Sequence, residues 1–302
     1  MPYNLYETTL AQLIERIGRL SVKEWKEGTF SANATATTSM TDTKRREAND
    51  YFQNTSPVSR LYVISTLTGV APMGEEREFT DWTQTGGIGV LAPAFTASLP
   101  AGGTYCILAE YSWAEIREAI NMALDEVARI ALVDKVDSSS ITLQAGVYEY
   151  PVPSGFTRIY RIIMADANEN FYNSPIPHDQ YRIVRGLDVP AIRFERMPAE
   201  LQLEGHMYSE LWASASLTAG RKLQVEGFQR QPELVNPFDV CYVNPAYVVA
   251  QAAAYLHMTR IRRPENEPDA HREQYDAWQR KADRAKGDIA YAFPPNTKLV
   301  SI

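Results

Sequence analysis

Cysteine and histidine are scarce in this chain, which limits the metal and redox chemistry open to it. The 302 residues include two cysteines and four histidines. Cys106 and Cys241 lie far apart, and no histidine stands at a zinc-type spacing from another histidine or a cysteine. We therefore expect no metal and no cofactor. We expect both cysteines to be reduced core residues of a protein folded in a cytoplasm.

Long apolar runs and an excess of basic residues are missing too. No run approaches the roughly 20 apolar residues of a membrane helix, and the N-terminus lacks the basic and apolar regions of a secretory signal. We therefore expect no membrane partner. The formal net charge of −7 argues against a nucleic-acid-binding surface. It agrees with a surface past which DNA slides, because repulsion from phosphate prevents sticking.

Known catalytic motifs are the third absence. There is no Walker A sequence, the glycines at 86–89 do not lie between a strand and a helix, and "PSGF" at 153–156 is a turn, not a nucleophile elbow. His257 lies on an apolar helix, where a satisfied buried histidine is favoured over a catalytic one. A hydrolase would need converging carboxylates or a shielded histidine, which nothing indicates. We expect a protein that is not an enzyme.

Apolar periodicity predicts about four helices. Residues 5–20 carry an apolar stripe, and a second helix is predicted from Trp113 to Leu132, opened by a capping box of Ser112 and Glu115. Two more helices are predicted near the C-terminus. One starts at Pro245 with Asn244 as its cap, and the other ends at Gly287.

The remaining sequence favours strands. Residues 28–110 hold β-branched and aromatic residues between Gly, Pro and Thr turns, which predicts an all-β module of four to six short strands. A second β block is predicted over 137–232, although residues 207–216 remain ambiguous between strand and helix. The predicted fold class is α+β. A helix bundle formed by 1–27 and 111–302 carries the module 28–110 as a domain inserted between its first two helices.

Aromatic and basic clusters each allow two interpretations. The aromatic residues of the β module could stack sugars but are more often the core of so small a module: Tyr51, Phe52, Tyr62, Phe79, Trp82, Phe95 and Tyr105. The basic clusters are Arg45 with Arg46, and Arg260 with Arg262 and Arg263. The second cluster closes a helix, where the helix dipole favours positive charge without any nucleic acid.

Three short motifs carry a resemblance to a known family. The helix centre "IN.AL" corresponds to Ile120, Asn121, Ala123 and Leu124. The strand pair "Y.YPLP.GF.RI" corresponds to Tyr148, Tyr150, Pro151, Pro153, Gly155, Phe156, Arg158 and Ile159. The β insertion "T.RE.DDYF…LYI..GTG" corresponds to Arg46, Glu47, Asp50, Tyr51, Phe52, Leu61, Tyr62 and Gly69. From Thr9 to about Ala285 the chain resembles the head-to-tail adaptor (connector) proteins of tailed bacteriophages. It departs from them at 198–220, which is longer than the family's turn.

The resemblance implies a structural protein of the virion, made in the host bacterial cytoplasm and placed at the head–tail junction. It implies a homo-oligomeric ring of twelve copies beneath the portal protein. Such a ring extends the DNA channel and is the docking platform for a downstream neck or tail protein. Double-stranded DNA would pass through it without sequence-specific binding.

The resemblance also implies where the portal binds. In related adaptors the C-terminal segment docks on the portal, and a frayed terminus is the alternative here. The candidate portal-docking residues are Phe293, Pro294, Pro295, Leu299, Val300 and Ile302.

Two other functions stay open. A carbohydrate-binding or host-recognition module of a phage tail would need the aromatic residues in a row on an exposed face. Another ring-forming neck protein, a stopper or a tail terminator, would be smaller and mostly β. It would also lack the two C-terminal helices.

Overall fold

The chain folds as two compact units, which are described separately. The computed structural model describes residues 6–21, 25–55, 57–67, 72–144, 146–166, 168–171, 175–185, 188–195, 220–261 and 268–289, and the backbone of 300 and 301. The helical unit comprises Leu5–Val127 and Pro232–Ile289. The strand unit comprises Met1–Asn4, Ala128–Gln231 and Ala290–Ile302. The predicted α+β class is confirmed, whereas an inserted domain bounded at 28 and 110 stays a prediction.

Four helices are found among the described residues, all in the helical unit. They are α1 (Leu10–Ser21), α2 (Trp113–Glu126), α3 (Pro245–Ile261) and α4 (Pro268–Gly287). Helix α3 packs against the other three. It is buried on nearly all sides because its middle, from Tyr247 to Ala254, consists of apolar or small residues apart from Gln251. Helix α3 is therefore the centre of the helical core.

The start of α2 follows the prediction, and its end does not. The Ser112 hydroxyl accepts the N–H of Glu115 at 3.1 Å, and the Glu115 carboxylate accepts the N–H of Ser112 at 2.9 Å, which completes the capping box. The predicted end at Leu132 is wrong, because the helix stops at Glu126. Leu132 instead begins a strand and pairs with Arg230. This long-range pairing overrides the apolar helical pattern.

The helical unit also contains a six-stranded antiparallel sheet. Numbered along the chain after the two-residue strand β1 (Thr8–Thr9), its strands are β2 (Lys26–Thr29), β3 (Ser39–Thr41), β4 (Arg60–Ser65), β5 (Glu76–Thr83), β6 (Ile88–Ala92) and β7 (Thr104–Leu108). They lie in the order β2-β7-β4-β5-β6-β3. The Ser31 N–H, just after β2, donates to the Thr41 carbonyl at 2.9 Å. The two outer strands therefore meet, and the sheet curls around one core.

Most aromatic residues of this sheet fill that core, whereas Tyr62 lies outside it and stacks on Trp113 of α2. Of the seven named from the sequence, all but Tyr51 are at most 3% exposed. Phe52 stacks on Phe79 and meets Trp82 edge to face, with ring centroids 4.8 and 5.1 Å apart. No exposed row remains for a sugar, so the carbohydrate-binding alternative loses the residues on which it depended.

The strand unit holds two antiparallel sheets. Its strands are β8 (Leu132–Thr142), β9 (Glu149–Pro151), β10 (Arg158–Met164), β11 (Tyr181–Val184), β12 (Ala191–Phe194), β13 (Lys222–Arg230) and β15 (Val300–Ser301). One sheet has the order β15-β10-β13-β8 and the other β11-β12-β9. A shared apolar cluster packs between their residues, including Ile159, Ile192 and Val225, each fully buried. Strands therefore occupy the region of the predicted second β block, but the first of them begins at Leu132, before the predicted boundary at 137. Residues 207–216 lie outside the described part of the chain.

Candidate interaction surfaces

One loop of the helical unit exposes two large apolar side chains. This anchored loop, residues 232–239, precedes the two-residue strand β14 (Val240–Cys241). Val235 is 51% exposed and Phe238 is 55% exposed, whereas the neighbouring Leu234 is buried, with only 1% of its surface exposed. Large apolar side chains that are exposed on a loop can form an interaction surface when contacts hold the backbone of that loop in place.

Helix α2 fixes the loop through the side chain of Asn121. The Asn121 amide nitrogen donates to the Leu234 carbonyl at 3.0 Å, and its amide oxygen accepts the Leu234 N–H at 3.0 Å. The Asn121 amide therefore pairs with both the N–H and the carbonyl of Leu234, as a residue of a neighbouring β-strand would. The buried Leu234 side chain and these two bonds fix the loop to the helical core.

Asp239 and helix α1 fix the other end of the loop. One Asp239 oxygen accepts the N–H groups of Val235 and Asn236, both at 2.7 Å. Desolvation opposes ionisation of Asp239, but these N–H groups outweigh it and lower the pKa of the carboxyl. The carbonyls of Pro237 and Asp239 accept the N–H groups of Ala11 and Leu10, each at 2.9 Å. They thereby satisfy first-turn donors of α1 that have no partner within the helix.

The end of α3 carries a buried charge, Arg260. Its side chain is 8% exposed and donates to the Glu110 carbonyl. The guanidinium lies 4.7 Å from the centre of the Tyr111 ring and 3.6 Å from the Glu115 carboxylate. Arg260 therefore joins α3 to the start of α2 and is unavailable to nucleic acid. Arg262 and Arg263 of the same cluster lie outside the described residues.

A histidine pair lies beside Arg260. His257 on α3 and His271 on α4 approach with 3.1 Å between their Nδ1 atoms, and His271 Nε2 is 3.6 Å from a Glu110 carboxylate oxygen. His257 is 4% exposed. Burial, then the neighbouring His271, lowers the pKa of His257 to about 4. Within the described part of the chain, no group of three or more His, Cys, Asp or Glu could hold a metal ion. A hydrogen-bonded pair that joins α3 to α4, with His257 neutral, fits this geometry.

The basic pair at 45 and 46 is divided between core and surface. Arg45 donates from Nε to the Tyr105 hydroxyl at 2.9 Å, and that hydroxyl donates to Asp42 at 2.6 Å. Arg45 also donates from Nη1 to Glu47 at 3.2 Å. Arg46 is exposed and donates to the Thr43 carbonyl at 2.8 Å. Arg45 is thus bound to side chains of the curled sheet, whereas Arg46 lies on the surface. The two arginines do not form a joint basic patch.

Comparison with known families places the chain. A model described as SU10 adaptor protein matches residues 96–298, more than half of the sequence. The chain belongs to the SU10 adaptor protein family. It is therefore a phage-related structural adaptor and a component of the virion. No curated protein matches it.

The helical motif of the adaptor has two roles in the structure. Ile120, Ala123 and Leu124 are core residues, at most 4% exposed. Asn121 helps to hold the anchored loop. The motif thus combines packing positions with a polar side chain that contributes to fixing a surface feature.

The second motif builds a turn in the strand unit of the adaptor. Gly155 has φ +84, which favours glycine, and an added Cβ there would lie 2.6 Å from Lys135 Nζ. That ammonium donates to the Ser154 carbonyl at 2.7 Å and lies 5.2 Å from the centre of the Phe156 ring. Ile159 is fully buried. The third motif precedes the matched range, and its Gly69 lies outside the described residues.

The predicted portal-docking residues are mostly beyond the described residues. Phe293, Pro294, Pro295, Leu299 and Ile302 all lie outside them. Val300 lies in β15, where its backbone pairs with Ile159 of β10. These positions therefore stay a prediction.

The anchored loop was missed from the sequence. A signal was present, because "NPFD" places an aromatic residue inside a turn of Asn, Pro and Asp. An exposed aromatic residue in such a turn indicates a surface contact, since turns are normally polar. Its fixation could not be seen, because Asn121 and Leu234 are 113 positions apart.

Among the described residues, no helix is both long and apolar enough to cross a membrane.

Proposed function

We propose that this adaptor forms a homo-oligomeric ring of twelve copies at the head–tail junction. The ring lies beneath the portal, extends the DNA channel and is the docking platform for the neck or tail protein below. It acts as a structural part, without catalysis or a cofactor. The observation that carries this proposal is the family match over residues 96–298, which includes α2, α3, α4 and the whole β8–β13 block.

The physical properties of the chain support a ring around DNA. Each copy has a formal charge of −7, so a channel lined by repeated copies repels phosphate and lets the duplex pass. The helical unit is tied together by Arg260, the histidine pair and Asn121, which makes it a stiff building block. Stiff blocks with head-to-tail contacts close into rings when the rotation per copy divides a full turn.

The strands between α1 and α2 are proposed to be an insertion into the adaptor core. The family match begins at residue 96 and leaves out five of the six strands of the curled sheet. This sheet encloses its own aromatic core, as an added module would. Its outward face is proposed to contact a neighbouring copy, a tail protein or a decoration.

A stopper or tail terminator is the nearest alternative. Helices α3 and α4 form one packed hairpin with 17 and 20 residues. Because stoppers and terminators are smaller and mostly β, this hairpin favours the adaptor.

Cryo-electron microscopy of the head–tail region of the native particle tests the proposed function. We expect a closed ring of this chain around the DNA channel, with residues 288–302 ordered against the ring above. Density for this chain only at the tail tip or on the capsid surface would contradict the proposal. Absence from purified particles would favour an enzyme instead.

A further inference from the structure

We infer that the anchored loop of one copy docks on the exposed face of α1 of the next copy, and that this contact joins neighbours in the ring. The inference deepens the proposed function and rests on it. The contact is heterologous: each copy uses its loop to bind one neighbour and its α1 face to bind the other.

The loop is a preorganised apolar contact. Phe238 and Val235 are each more than half exposed, and hydrogen bonds with Asn121, with the Asp239 carboxylate and with the first N–H groups of α1 hold the backbone of their loop. A loop already ordered loses little conformational entropy on binding. An aromatic side chain held in this way has the properties of an interface anchor.

The exposed face of α1 offers an apolar and basic counterpart. Leu20 is 64% exposed, and Arg16 lies one turn before it on the same face. Arg19 beside them is 58% exposed and pairs with Glu15 at 2.8 Å. The opposite face of α1 is fully buried through Leu10, Leu13, Ile14 and Ile17. Leu20 is thus an exposed apolar residue on the outward face of an amphipathic helix.

The charges of the two surfaces are complementary. The loop sequence "PELVNPFD" contains Glu233, which is exposed, and no basic residue. On the α1 face Arg19 is already paired with Glu15 and Glu27, so Arg16 is the cation beside Leu20 that is assigned to Glu233. Contact would pair Phe238 and Val235 with Leu20, and Glu233 with Arg16. Opposite charges at the rim of an apolar contact fix its register.

A second copy is favoured because the two surfaces cannot meet within one chain. The loop is bonded to the first turn of α1 through Leu10 and Ala11. Leu20 lies ten residues further along, about 15 Å at the helical rise. Two complementary surfaces fixed at opposite ends of one helix can join only between copies, and the contact repeats head to tail.

Disulfide trapping tests the contact in assembled particles. Particles carrying the full-length double variant Glu233→Cys with Arg16→Cys are oxidised and run on a non-reducing gel. We expect a ladder of covalent oligomers, because paired Cβ atoms about 4 Å apart form a disulfide. Native background is low, since Cys106 and Cys241 are fully buried, and burial raises the pKa of both thiols, that of Cys241 to about 11.

Matched variants control the trapping. The single cysteine variants should run as monomers, and so should Glu233→Cys with Glu118→Cys, since Glu118 is exposed on α2. A ring seen in these particles without a ladder overturns the contact and leaves the ring intact. A ladder from the Glu118 combination overturns it as well, because the loop would then contact another surface.

Charge exchange tests the same contact without cysteines. Glu233→Arg and Arg16→Glu should each reduce the copies of adaptor per particle about tenfold, because each juxtaposes like charges. The double exchange should return incorporation to about the wild-type level. Both residues are exposed, so thermal unfolding of the free protein should not change. If the double exchange does not restore incorporation, the proposed contact is wrong. Failure of the wild-type protein itself to form a ring overturns the proposed function with it.

Discussion

At the scale of single residues, buried polar groups at the junction of three helices join the helical unit. His257 is surrounded by His271 on α4, by Arg260 one turn further along α3, and by Tyr111 before α2. Arg260 already places one positive charge there, with the Glu115 carboxylate 3.6 Å from its guanidinium, and the Glu110 carboxylate lies 3.6 Å from Nε2 of His271. A second cation at His257 would be buried without a carboxylate of its own, so the folded state favours the neutral imidazole.

Stability should therefore fall on mild acidification, because of His257. The unfolded chain binds a proton at this histidine near pH 6.5, whereas the folded protein binds it only near pH 4. Its contribution is complete above pH 6.5 and is lost as the pH falls toward 4. Each unit of pKa shift corresponds to about 1.4 kcal/mol, so the loss is roughly 3 kcal/mol.

Urea unfolding of wild type and His257→Gln at several pH values between 4 and 8 checks this. The variant should lose less stability than wild type between pH 6.5 and 4. His178→Gln, a change in the strand unit, should follow wild type. Parallel curves for wild type and His257→Gln would show that His257 is protonated in the folded state as easily as in the unfolded one.

Single residues also show what the sequence could and could not reveal. The burial of His257 followed from its apolar helix, and the burial of the β-module aromatics followed from the small size of the module. Both are local inferences about which side chains a core takes. The role of Asn121 depends on a backbone residue 113 positions away, and no periodic pattern carries that distance.

At the scale of elements, the two capped helix starts were well predicted, whereas the start of α1 and the end of α2 were not. The N-caps at Ser112 and Asn244 are visible because capping is a contact between near neighbours in sequence. The end of α2 was placed six residues too late, since its apolar positions continue through Val127 without a glycine. What ends this helix is the pairing of the next segment with β13, a contact made only in the folded chain.

The Asn121 side chain is one of the contacts that order the anchored loop, beside Asp239 and the start of α1. Asn121→Ala removes both hydrogen bonds to Leu234 and leaves two buried backbone groups without a partner. We expect a loss of about 2 kcal/mol in the free energy of unfolding. We also expect faster amide hydrogen exchange over residues 232–239, with little change in the core of α3.

The neighbouring Met122→Ala is the matched control, because Met122 is 45% exposed on the same helix. It should change stability by less than about 0.5 kcal/mol and leave exchange in the loop unchanged. Equal exchange in Asn121→Ala and Met122→Ala would show that Asp239 and α1 hold the loop without Asn121.

At the scale of the whole molecule, the fold class was predictable because helix and strand patterns are local. The grouping of elements was not. Strands β2 to β7 and the four helices fall in one compact unit, whereas the β block after α2 forms the other. Which elements share a core depends on long-range packing, for example of α3 against α1, which a pattern along the chain does not record.

Attachment of the adaptor to its neighbour above belongs to this scale, and we predict that it uses the C-terminal segment. Phe293→Ser with Leu299→Ser removes two of the predicted portal-docking side chains. We expect at least a tenfold drop in adaptor copies per particle, because each buried side chain of this kind contributes about 1.5–3 kcal/mol. The thermal unfolding of the free protein should stay unchanged. Quantitative mass spectrometry of purified particles measures the number of adaptor copies.

The matched variant Asn296→Ser with Lys298→Ser changes polar positions of the same segment and should assemble normally. Normal incorporation of the Phe293 and Leu299 variant would place the portal contact elsewhere on the adaptor.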